Sequence, residues 1–133
     1  MRFHDFHLAG YSVSDSGRTI VLHLVYDYPD QPHETSHIKF TDVSAYHFVH
    51  TGGAVITDIE ELPLSQLIAE IGSQLSQWWQ LHGGYAHWSD DPAKYIETLQ
   101  RSGHRAWTIS SAVGFEGFVI AKSVQDCQDA GHA

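Results

Sequence analysis

The chain has 133 residues, 42% of them hydrophobic and 12% aromatic, and a net charge of −9 from 7 Lys+Arg against 16 Asp+Glu. That is long enough to bury a core in one domain and too apolar for the disordered class. Such a negative surface repels phosphate backbones and anionic membranes, so nucleic acid and membrane are poor partners and a basic protein is the better match.

The start, Met1-Arg2-Phe3-His4-Asp5, lacks a basic segment followed by an apolar stretch, so no signal peptide is expected. Leu8 to Val13 reads as a first strand and Ser14-Asp15-Ser16-Gly17 as a turn. Arg18 to Tyr28 alternates, with Ile20, Leu22, Leu24, Tyr26 and Tyr28 on one face. These two strands make a β-hairpin. After Pro29 and Pro32, a third strand runs from His37 to Thr41, with Ile38 and Phe40 in phase. Ala45 to His50 is a fourth, and Gly52-Gly53 reads as the turn into a fifth from Ala54 to Glu61.

The period then becomes helical. Leu64, Leu67, Ile68, Ile71, Leu75 and Trp78 recur at spacings of three, four and seven, with Pro63 in the first turn and Gly83-Gly84 at the exit. A shorter helix follows, with Asp91 as N-cap, Pro92 at its first position, Ile96 and Leu99 inward, and Gly103 beyond its end. Arg105 to Ser111 and Gly117 to Ser123 read as a closing hairpin around Ala112-Val113-Gly114. The expected fold is α+β: a mostly antiparallel sheet of about seven strands, curved or closing toward a barrel, with one long and one short helix packed on it. Residues 1–123 form the domain and 124–133 a polar C-terminal tail. Cys127 is the only cysteine, so no internal disulfide is possible and a reducing cytoplasm is the expected compartment. No apolar run approaches the roughly 20 residues needed to cross a bilayer.

Four groups of residues bear on chemistry. His33-Glu34-Thr35-Ser36-His37 spells H-E-x-x-H, which on a helix brings two imidazoles to one zinc and leaves Glu34 as general base. On a strand the same two histidines sit about 13 Å apart. With Pro29 and Pro32 before the string and an alternating strand after it, residues 33–37 are expected on a polar hairpin connection with solvated histidines. A zinc hydrolase using His33, Glu34 and His37 is the alternative. His4, Asp5 and His7 are a second set of potential metal ligands, set against Phe3 and Phe6 packing while Asp5 caps a turn. Asp58, Glu60 and Glu61 can form an acidic patch for a basic partner. Trp79, Tyr85 and Trp88 cluster near Gly83-Gly84, where aromatic side chains can anchor a protein interface. No phosphate-binding loop, dinucleotide fingerprint or nucleophile elbow is present.

Phe3-His4-Asp5, the early hairpin and Lys39-Phe40-Thr41-Asp42-Val43 resemble small bacterial proteins of unknown function, some of them grouped with the immunity proteins of polymorphic toxin systems. The similarity covers residues 3 to 60, with an echo in Ile109-Ser110-Ser111-Ala112-Val113-Gly114. It implies a cytoplasmic binding protein that blocks a toxin, with no cofactor and no catalytic residues to carry over. The expected function is therefore a non-catalytic protein-binding module, an acidic inhibitor of a basic toxin. A zinc hydrolase and a dimeric structural module are the alternatives. Adding the charge of eleven protonated histidines to −9 gives +2, so solubility and association should depend steeply on pH between about 5 and 7.

Overall fold

In a computed structural model, which describes residues 3–82 and 92–128, the chain is α+β with an antiparallel curled sheet of six strands and two helices. The strands are β1 (His7–Ser14), β2 (Thr19–Tyr26), β3 (Glu34–Thr41), β4 (Ala45–Leu62), β5 (Arg105–Ala121) and β6 (Ser123–Gln128). Their order across the sheet is β5-β4-β1-β2-β3-β6. The two ends of that order, β5 and β6, are separated in the chain by Lys122 alone. Consecutive Cα atoms are about 3.8 Å apart, so the sheet must curl until its two edges meet. Lys122 N–H donates to the Thr41 carbonyl and Ser44 N–H to that of Ile120, which ties the junction shut.

The alternation of β2 does what its pattern demands. Ile20, Leu22 and Leu24 point into the curl and are essentially inaccessible, as are Ile38 and Phe40 of β3. Trp107 and Ile109 of β5 and Ile56 and Ile59 of β4 complete this core, with the Phe40 and Trp107 rings 5.5 Å apart, edge to face. Phe3 and Phe6 pack into it, edge to face at 5.1 Å. Their segment is held by Asp5 N–H to the Ile56 carbonyl and by Ile56 N–H to the Phe6 carbonyl.

A second core lies outside the sheet. Leu64, Leu67 and Ile68 of α1 (Leu64–His82) and Tyr95 and Leu99 of α2 (Pro92–Arg101) cover Ala45, Ala106, Phe118 and Ile120. β5 is thus buried on both faces at both ends, which is why Phe118 to Ala121 reads as a continuous apolar run. The helical stripe holds through Ile71; the side chains of Leu75 and Trp78, and Asp91 and Gly83-Gly84, lie outside the described residues. Pro63 stands one position earlier than expected, its carbonyl accepting from Gln66 and Leu67. Gly103, at φ +81°, ends α2 as expected: its N–H meets the Gln100 carbonyl, and that of His104 meets Leu99.

Three expectations are corrected. Gly52-Gly53 does not reverse the chain, and neither does Ala112-Val113-Gly114: each lies inside one long strand, so six strands stand where about seven were expected. The two glycine sites face each other in the β4–β5 ladder, between the pairs His50↔Phe115 and Val55↔Val113. Four residues of β4 there oppose one of β5, a wide bulge that bends both strands. Gly114 has φ +85°, and a Cβ there would lie 2.3 Å from the Gly53 carbonyl oxygen, so no side chain fits. Lastly, the expected tail from residue 124 is ordered as β6 through Gln128, because its backbone pairs with β3 from Ser36↔Gln128 to Thr41↔Ser123.

Candidate functional site

A groove of about 730 Å³ lies between α1 and the outer face of β4 and β5. Its floor is apolar, from Leu62, Leu67, Ile71 and Phe118, and its charged residues are Glu60, Glu61, Glu70 and Glu116. No Lys or Arg lines it. Strand alternation brings Glu60 and Glu116 there, since Ile59 and Phe115 beside them point into the core. Glu70 comes from the helix. Glu61 is partly compensated: Arg105 Nη1 lies 3.3 Å from its carboxylate, and the guanidinium sits over the Trp107 ring at 5.0 Å. Glu60, Glu70 and Glu116 are left to set the sign of the groove. Carboxylates on an apolar floor suit Lys or Arg side chains, whose stems pack while their heads pair.

His47 also lines the groove, its ring stacked on Phe118 at 6.3 Å. The Ser111 hydroxyl, close to the β5 bend, is occupied structurally. Ser111 Oγ lies between the carbonyls of Val113 and Phe115 and accepts from Phe115 N–H at 3.1 Å, which pins the β5 bend.

Of the sequence-derived interface residues, Glu60 and Glu61 line the groove, whereas Asp58 stands outside it, paired in register with Ser110. A bulge at Thr57–Asp58 shifts the ladder between Ile56 and Asp58. Trp79 belongs to α1, with its side chain outside the described residues; Tyr85 and Trp88 lie outside them altogether. Glu70 and Glu116 were missed. One sits on the polar side of a helix and the other beside Gly117, on a different strand, and nothing local links either to Glu60.

The H-E-x-x-H string is corrected from Glu34 onward, where it is strand rather than connection. Strand geometry puts Glu34 and His37 on opposite faces. Glu34 accepts a hydrogen bond at 2.7 Å from the buried Ser36 hydroxyl, whereas His37 faces His23 across the β2–β3 ladder at 6.5 Å. His33, before the strand, pairs with Asp27 at 2.8 Å on the surface. The N-terminal set is also divided: His4 Nδ1 donates to the Thr57 carbonyl and its other nitrogen lies 3.4 Å from Asp5, while His7 packs against Tyr28. Among the described residues no three His, Cys, Asp or Glu side chains are placed to hold a metal ion. Among the described residues no helix is long and apolar enough to cross a membrane.

No protein-family model, curated protein or solved structure matches this chain.

Proposed function

We propose that this protein is a cytoplasmic binding module that acts by docking rather than by turnover, and that its partner is a basic protein, as an immunity-type inhibitor of a toxin would require. One observation carries the reading: every charged residue lining the groove is a glutamate, beside the apolar side chains of Leu62, Leu67, Ile71 and Phe118. Charge of one sign in a concave site raises the local concentration of oppositely charged groups and speeds encounter. The net charge of −9 acts in the same direction.

The test compares the wild-type chain with the double charge reversal Glu60→Lys, Glu116→Lys. Both residues are exposed, so folding should be preserved. Proteins of the host lysate retained by the wild type at low salt should be basic, should elute as salt rises, and should be missing from the variant eluate. An identical set of proteins on both baits, or retention insensitive to salt, defeats the proposal.

A further inference from the structure

β1 and β4 are neighbours in the sheet, yet they pair only at His7↔Val55 and Leu8↔Ala54. Beyond those two pairs the strands diverge: β1 runs on to Ser14 with β2 alone beside it, and β4 extends back to Ala45 beside β5. The sheet is split there. Across the split lies a rack of rings, with Tyr11 of β1 5.2 Å from Phe48 and 5.8 Å from Phe115, and Tyr46 5.5 Å from Phe48. Among the described residues the exposed large hydrophobic side chains are Tyr11, Val13, Tyr46, Val49 and Val113, all on the three strands around this split. Residues 7–14 and 45–57 contain no Asp, Glu, Lys or Arg. Strand edges that must stay solitary usually carry charge, proline or a cover, and β6 carries Asp126. Among the described residues, the edges along the split have none of these.

The same stretch of β4 borders the acidic groove. Tyr46 and Phe48 face the rack, and the alternate residues His47 and Val49 line the groove on the other face. A strand added beside β4, at about 4.8 Å, inherits that alternation. Resting on the basic-partner reading, we propose that the split between β1 and β4 receives an extended segment of that partner, which hydrogen-bonds along β4, turns apolar side chains onto Tyr11, Tyr46 and Phe48, and turns Lys or Arg toward Glu60 and Glu116. Strand addition supplies affinity through the backbone and specificity through alternate side chains. A second copy of this chain is the poorer occupant, because it brings another −9 and its own uncharged edge to an acidic groove.

The experiment uses the full chain and a displayed library of short random peptides. The most enriched peptide is then synthesised with and without N-methylation of every second amide, and its binding is read by fluorescence anisotropy and by amide exchange of the protein. Selected sequences should alternate Lys or Arg with apolar residues. N-methylation on the edge-facing amides should weaken binding by about tenfold or more, and the bound peptide should slow exchange over residues 45–50. Tyr46→Glu, at an exposed position, should weaken the same peptide. Basic peptides that bind equally well when N-methylated, without protecting residues 45–50, overturn strand addition and leave the basic-partner reading standing. Failure to enrich any basic peptide overturns both. Concentration-dependent dimerisation that protects residues 45–50 assigns the split to a second copy and overturns the proposal.

Discussion

The two halves of β4 share one strand and one neighbour, β5, but lead different lives. At Ala54 and Val55 the strand pairs with β1 along its other edge, and this half buries Ala54, Ile56 and Ile59 in the closed core. From Ala45 to His50 it has no such cover: Tyr46 and Val49 are 36% and 44% exposed. The difference shows that what leaves a strand open to a partner is the company of its edge, more than its own composition. Both halves are rich in β-branched and aromatic residues, and the bulge at Gly52-Gly53 is what separates them.

Single substitutions separate the closed core from the open edge. Removing the largest wall of the closed core should cost most: Trp107→Ala should destabilise by about 3–5 kcal/mol, because transfer and cavity terms add at a site with 1% exposure. Urea unfolding checks this, and a loss under 1 kcal/mol would mean the core is not closed there. Gly114→Ala tests the bulge itself. A side chain at φ +85° against the Gly53 carbonyl should cost about 1–3 kcal/mol, whereas Gly10→Ala, with open space around it, should be tolerated. Equal costs for the two glycines would dissolve the distinction between bend and open edge.

A smaller effect is expected at the closing junction. Burial, and then the Lys122 ammonium, hold the His104 imidazole below its ordinary value of 6.5, against the opposing pull of Asp42 and of the Leu99 carbonyl. The folded state therefore prefers neutral His104. Its contribution is present above pH 6.5 and lost as pH falls below it, because the unfolded chain takes up the proton first. Replacement by His104→Gln should flatten the acid limb of the stability profile; a profile of unchanged slope would show that the junction does not sense this proton. The smallest change belongs to the split: Tyr46→Ser should alter stability by no more than about 0.5 kcal/mol, since an exposed ring at an open edge contributes little to folding. If it costs as much as a core residue, the rack is structural and not an open surface.

Much of the fold was legible because it is periodic. Ile20, Leu22 and Leu24 alternate, Leu64, Leu67, Ile68 and Ile71 recur every three or four residues, and each set landed on the buried face it marked. Gly103 was legible because a left-handed residue after a helix admits little else. Gly52-Gly53 and Gly114 were not, since glycine marks where a chain is free to depart from regular geometry but is used alike for a reversal and a bulge. β6 was missed for a related reason. Ser123-Val124-Gln125-Asp126-Cys127-Gln128 has one strong apolar position, and its order comes from backbone pairing with β3. The groove was half legible: Glu60 and Glu61 stood out as neighbours, but Glu70 and Glu116 join them through a helix crossing the outer face.

Charge and the two hydrophobic periods are properties of neighbouring residues, and the amino-acid order settles them without reference to the rest of the chain. Closure of the sheet through Lys122, the bending of β4 and β5 where reversals were expected, the dispersal of the H-E-x-x-H string and the gathering of four glutamates in one groove depend on residues far apart in sequence. They were decided when the chain packed. A glycine bends or reverses, and a carboxylate faces a groove or open water, according to what lies across from it, and that neighbour exists only once the sheet has curled on itself.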